Sequence, residues 1–178
     1  MNNTPSARFR LITLFAELGI PLDYGKEPYR PAHDEAKELA DAGENFLGRS
    51  IKLEPTALTA WESLSEVAMR DGVTLLLVSG YRSYEYQAEL IRRKRASGQE
   101  IDEILRTVAA PGFSEHHTGR AIDVASPGTR PLTEEFASSP AWAWLQENAK
   151  SHDFTMTYPK GNEYGFIYEP WHWCFAGS

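Results

Sequence analysis

One short stretch frames the rest of the chain. VTLLLVS, Val73 to Ser79, is apolar and partly β-branched and is bounded by glycines at 72 and 80, so it reads as a buried strand that Gly80 breaks. Ahead of it, Leu58, Trp61, Leu64 and Ala68 recur at helical spacing between Pro55 and Arg70, with Gly72 as terminator. Leu11, Leu14, Phe15 and Leu18 mark an earlier helix, begun near Ser6 and closed by Gly19. Pro21 to Arg49 is rich in turn formers and charge and reads as a wrapping segment with one short helix from about Asp34 to Ala42. After Gly80, Ser83 caps a helix to about Ala96, a second runs from Ile101 to before Pro111, and a third spans Pro140 to Lys150. Arg120 to Val124 alternates like a half-buried strand, as does FTMTY, Phe154 to Tyr158, and YGFIYEPWHWCF reads as strand interrupted at Pro170. Helices come early and strands late, with hairpin-length gaps. The expected fold is α+β: a small, mostly antiparallel sheet with helices packed around it.

At 178 residues and 42% hydrophobic content the chain supports one sizeable core, and one domain is expected. A net charge of −7 argues against nucleic acid or an anionic membrane surface as partner, because both require a basic face. The basic cluster Arg92 to Arg95 reads as a solvated helix face. No apolar run approaches the length that spans a bilayer. Cys174 is the only cysteine, so no internal disulfide forms. Glu17 interrupts the apolar stretch after Arg8 and Arg10, and no small-residue cleavage site follows. Cytoplasmic residence is the expectation, with export to the periplasm or beyond as the alternative.

The histidines carry the chemistry. In SEHHTGRAID, His116 and Asp123 are seven residues apart, which is about 10.5 Å along a helix or about 23 Å along a strand, too far to share an ion. A reversal at Thr118 and Gly119 would return Asp123 beside His116. Asp123, between Ile122 and Val124, is drawn inward, where a carboxylate needs a cation or several donors. In Glu169-Pro170-Trp171-His172, Pro170 disfavours helix, so this element is a turn or bulged strand that could present a carboxylate base and a further ligand. Capping and core packing are the competing roles for these residues. His117 and Cys174 compete for ligand roles, but consecutive strand residues point apart, and a buried cysteine is more often a small hydrophobe. His33 and His152 have no neighbourhood that singles them out. SGYRSYEYQ, Ser79 to Gln87, projects Arg82 from a strand–helix corner, suited to a carboxylate, an oxyanion or a structural salt bridge.

Together S-G-Y-R-S-x-x-x-Q, S-x-H-x-x-G-x-A-x-D and E-P-W-H-W resemble, in that order, the VanY-type D-alanyl-D-alanine carboxypeptidases. These are zinc peptidases related to phage endolysin peptidases and the hedgehog signalling domain. The resemblance runs from about Leu53 to Phe175, including WLQENA and YPKGNEYGF, and makes residues 53–175 the catalytic core and 1–52 an N-terminal helix and wrapping segment. It implies Zn²⁺ held by His116, Asp123 and His172, Glu169 as catalytic base, and Arg82 as oxyanion stabiliser. It places Tyr81, Ser83, Gln87 and Ser114 near the substrate. His117 departs from a frequent glutamine, Thr157 from a frequent arginine, and Asp153 from a frequent glycine.

The implied reaction is metal-assisted amide hydrolysis, in which zinc lowers the pKa of water toward about 7 and Glu169 takes the proton. The implied substrates are peptidoglycan stem peptides or muropeptides. Without a recognised export signal, an L,D-carboxypeptidase trimming tetrapeptides during wall recycling is favoured over a D,D-carboxypeptidase on pentapeptides. A cell-wall endopeptidase and a catalytically silent zinc module are lesser alternatives, and the presence of both Glu169 and Arg82 argues against the silent module.

Overall fold

Glu54 accepts a hydrogen bond from the Ala57 amide at 3.1 Å, and Pro55 supplies the fixed φ that opens a helix; together they start α2 (Pro55–Arg70). α2 buries Ala57, Trp61, Leu64 and Ala68, and Gly72 ends it at φ 77°. Leu64 is fully enclosed, so truncating it to alanine costs about 2–5 kcal/mol. This is the computed structural model of the protein, which describes residues 7–177. Its other helices are α1 (Ala7–Leu18), α3 (Tyr84–Ala96), the single turn α4 (Ile101–Ile104) and α5 (Pro140–Asn148). The expected start of α1 near Ser6 lies outside the described residues; its end at Gly19, φ 72°, is as the sequence predicts. Ser83 caps α3 by accepting from the Tyr86 amide at 3.1 Å.

The architecture is α+β. A two-stranded ribbon joins β1 (Ala40–Glu44) to β2 (Ser50–Leu53), and the main sheet takes β3 (Leu76–Ser79), β4 (Ala121–Ala125), β5 (Phe154–Thr155) and β6 (His172–Phe175). The main sheet runs in the order β3-β4-β6-β5 with every pair antiparallel. Alternation divides its faces: Ile122, Val124, Trp173 and Phe175 enter the core built with α2 and α5, while Asp123, His172 and Cys174 alternate with them. A second cluster unites α1, α3 and α4 through Leu14, Phe15, Leu18, Ala88, Ile91 and Ile104. The Arg92 side chain bonds Glu17 at 2.7 Å and Glu85 at 2.9 Å, so this part of the basic cluster ties α3 to α1.

Several elements differ from expectation. The helix expected over Asp34 to Ala42 is absent, and Ala40–Glu44 is strand instead. Ile51 and Leu53 alternate inward, and the Asn45 side-chain Oδ1 accepts from the amides of Leu47 (2.9 Å) and Arg49 (3.1 Å), closing the hairpin loop. β3 begins only at Leu76 and is half-buried, because it is an edge strand. β4 is buried at all five positions rather than on one face, since it is covered on both sides. FTMTY pairs only through Thr155, because beyond it Tyr158 turns to stack on His172 (centroids 4.8 Å apart) and its carbonyl accepts the Glu169 amide at 3.0 Å. The helix expected from Ile101 lasts one turn.

Candidate metal centre and active site

Three residues align across the sheet. Asp123 on β4 is the register partner of Ser79 on β3 and of His172 on β6. His116 reaches the same point from a 3₁₀ turn, Glu115–Thr118, closed by Gly119 in the left-handed region at φ 71°. A Cβ at 119 would stand 2.9 Å from the Glu54 amide nitrogen, and Glu54 donates to the Gly119 carbonyl at 2.9 Å. Only glycine satisfies both the angle and the approach. The reversal expected at Thr118 and Gly119 is what brings His116 to Asp123.

Asp123 Oδ1 lies 3.3 Å from His116 Nε2 and 3.2 Å from His172 Nδ1, and the three ligand atoms fall within 4.8 Å of one another. All three residues are buried. The other nitrogens are occupied: His116 Nδ1 donates to the Gly80 carbonyl at 2.7 Å, and His172 Nε2 to Glu115 Oε2 at 2.8 Å. Burial, aided by the nearby Arg82 charge, lowers His116 to about 4, so at neutral pH its Nε2 lone pair faces a carboxylate oxygen. Burial opposes ionisation of Asp123, but the His116 imidazole and the Arg82 guanidinium hold it well below the usual carboxylate range. Burial alone would neutralise His172, yet hydrogen bonds to Asp123 and Glu115 raise it to about 10. The centre therefore gathers a neutral His116, an ionised Asp123 and a His172 that must shed a proton before it can ligate. Bonds of about 2.0–2.1 Å to a tetrahedral zinc place neighbouring donors roughly 3.3 Å apart. The separations from Asp123 match that spacing.

Glu169 occupies a β-turn whose last member is the ligand candidate itself: the His172 amide donates to the Glu169 carbonyl at 3.1 Å, with Pro170 at the second position. The element expected to be turn or bulge is thus a turn. The Tyr158–Glu169 backbone bond closes the intervening residues into a loop, stapled by the Asn162 side chain to the Pro159 and Phe166 carbonyls. Burial raises the Glu169 carboxyl to about 7, with Asp123 adding to the rise and His172 opposing it.

The Arg82 guanidinium divides its contacts. Nη2 pairs with Asp123 Oδ2, the oxygen turned away from the histidines, and Nε donates to Ser79 Oγ at 2.9 Å. Ser83 spends its hydroxyl on the α3 cap. Gln87 is buried, donating to the Ala109 carbonyl at 2.9 Å while its Oε1 has no partner. Ser114 is buried at the start of the 3₁₀ turn, and the Tyr81 amide donates to the Lys52 carbonyl at 2.8 Å at the end of β2. Gly80, between them, lies where a Cβ would stand 2.6 Å from that same carbonyl oxygen.

His117 is turned away from the centre, though by a 3₁₀ turn and not by strand alternation. Its Nε2 accepts the Gly112 amide at 3.1 Å and its Nδ1 donates to the Arg82 carbonyl at 2.6 Å, so both nitrogens are committed. Cys174 is partly buried, burial pushes its thiol up, and its sulfur is not among the clustered ligand atoms. Sequence reasoning missed Glu115, which is signalled only by adjacency to His116, and Tyr158, which precedes a proline. It also passed over His33, whose imidazole lies close enough to Glu115 and His172 to feel their charge.

Comparison with known proteins follows the same lines. The family model described as VanY, D-alanyl-D-alanine carboxypeptidase, matches residues 50–178. A D-alanyl-D-alanine carboxypeptidase of Enterococcus faecalis is 34% identical over 162 residues, covering 85% of this chain and 56% of that protein. The structure of the LdcB LD-carboxypeptidase superposes with TM-score 0.72 at 34% identity, covering 84% of this chain and 73% of that one. VanYB in complex with D-alanine-D-alanine gives TM-score 0.63 at 29% identity, covering 84% and 82%. The chain spans about half the length of the curated relatives it matches. With three quarters of its length under one family model and the motif residues gathered at one end of its sheet, the chain belongs to the VanY D-alanyl-D-alanine carboxypeptidase family.

Proposed function

We propose that the protein is a zinc-dependent carboxypeptidase that removes terminal D-alanine from peptidoglycan stem peptides. The observation that carries the reading is the convergence of His116 Nε2, Asp123 Oδ1 and His172 Nδ1, with Glu169 three residues before His172. A structure of the related VanY D,D-pentapeptidase holds Zn(II), and the donor spacing here suits that ion. When bound, zinc supplies Lewis acidity and makes hydroxide available near neutral pH. Glu169, with its carboxyl near 7, takes the proton of the attacking water and returns it to the leaving amine. Arg82, anchored through Nε and Nη2, leaves Nη1 to donate to the developing oxyanion. Tyr81, Ser83, Gln87 and Ser114 border the substrate, and the unpaired Gln87 Oε1 offers an acceptor.

The L,D reaction on tetrapeptides is the preferred form, supported by the closer backbone match to LdcB, TM-score 0.72, than to VanYB, 0.63. The D,D reaction on pentapeptides is the second reading, supported by the name of the matching family. Incubating zinc-loaded protein with purified tetrapeptide and pentapeptide muropeptides, and weighing the products, separates the two. Loss of one alanine from the tetrapeptide is expected. Cleavage of the pentapeptide alone would replace the first reading by the second, and cleavage of neither would overturn both.

A further inference from the structure

We propose that Glu115 is a positioning residue that fixes the ring of His172 so that Nδ1 faces the metal site. The inference rests on the zinc-peptidase reading and extends it to a residue outside the ligand set.

An imidazole can ligate through either nitrogen, and the choice is made by whatever binds the other one. Register places the His172 backbone opposite Asp123 but does not itself set the ring, which turned over about Cβ–Cγ would put Cδ2 where Nδ1 now meets Asp123 Oδ1. Tyr158 stacks on the ring with centroids 4.8 Å apart and planes at 25°, which holds the ring plane yet accepts either flip. Glu115 breaks that tie from the far edge of the ring, where its contact is shorter than the one Asp123 makes to Nδ1. Its Oε2 lies 2.8 Å from His172 Nε2, so a flipped ring would place carbon against a carboxylate oxygen and lose the bond. Thr157 lines the same cavity as this carboxylate. The two histidines are thus oriented by different means: His116 by the neutral carbonyl of Gly80, His172 by a charged acceptor that also raises its basicity as a ligand. Glu115 sits on the 3₁₀ turn that delivers His116, so one turn presents one ligand and aims another.

The test compares Glu115→Ala and Glu115→Gln with the parent protein by chelator competition for zinc and by the visible absorption of the cobalt-substituted protein. Glu115→Ala should weaken zinc binding about 10–100-fold and shift the cobalt spectrum. Glu115→Gln, whose amide oxygen still accepts from Nε2–H without the charge, should fall between alanine and the parent. It is near-isosteric and carries the test if the alanine variant does not fold. Glu163→Ala, on the exposed loop, should match the parent, which separates orientation from loss of nearby charge. Parent-like zinc affinity and an unchanged cobalt spectrum in both Glu115 variants overturn the proposal, whatever their melting temperatures. A parent that binds zinc but cleaves no muropeptide sinks the function reading and leaves this one standing. A parent without zinc affinity sinks both.

Discussion

His172 Nδ1 stands 3.2 Å from Asp123 Oδ1, across the register pair that joins β6 to β4. In the metal-free protein this pair, with Glu115 behind the ring, holds a proton on His172 up to about pH 10. Ligation requires the neutral ring, so zinc must displace that proton. Calorimetry at pH 7.5 in buffers of different ionisation heat should show about one proton released per zinc bound, with apparent affinity rising roughly tenfold per pH unit through neutrality. The linkage has a stability counterpart. A folded pKa above the unfolded 6.5 contributes stability that is complete below about 6.5 and is lost as pH rises toward 10. Denaturant titrations of metal-free protein should show this loss, and His172→Ala should remove it.

Glu169 shares a turn with His172 but is not one of the clustered donors. Glu169→Gln should therefore keep zinc near one equivalent by metal analysis while kcat falls about 10²–10⁴-fold. Full activity in this variant would remove Glu169 from the mechanism.

Gly119 combines φ 71° with a 2.9 Å approach to the Glu54 nitrogen. Gly119→Ala should cost about 1–3 kcal/mol in urea unfolding. It should also weaken zinc binding, because the turn that seats His116 must open.

His117→Ala leaves the Gly112 amide and the Arg82 carbonyl without partners, and each unsatisfied buried group costs about 1–3 kcal/mol. Thermal unfolding should drop accordingly, while the folded fraction still takes up zinc. His116→Ala should behave in the opposite way: it should remain folded and lose the metal. A zinc-free His117 variant that is fully folded would reverse these roles.

The site was more legible in the sequence than the sheet. His116, Asp123 and the glycine between them imply a reversal because neither helix nor strand brings seven residues to one point, and Pro170 excludes helix before His172. Helix α2 was equally plain, since Ala57, Trp61, Leu64 and Ala68 keep one helical period. The β1–β2 ribbon was not. ADAGE has little intrinsic β preference, and its pairing depends on Asn45 closing the loop and on Leu53 being pulled into a core formed with distant residues. The early end of β5 was hidden for a similar reason: alternation continues through Tyr158, but its ring is claimed by His172 from the far end of the chain. Glu115 stayed unseen because no spacing rule links a carboxylate to a histidine 57 positions away.

The loop closed by the Tyr158–Glu169 bond has an evolutionary consequence. Its ends lie at Glu169 and at the stacking ring, and its interior is held both by Asn162 within the loop and from outside, by the Arg106 carbonyl accepting the Ile167 amide at 3.1 Å and Arg30 lying over the Phe166 ring. Exposed Glu163 can change at little cost, whereas Phe166 and Ile167 are committed to these contacts. Selection can thus vary the exposed side of this loop while its packed side keeps Glu169 in register with His172.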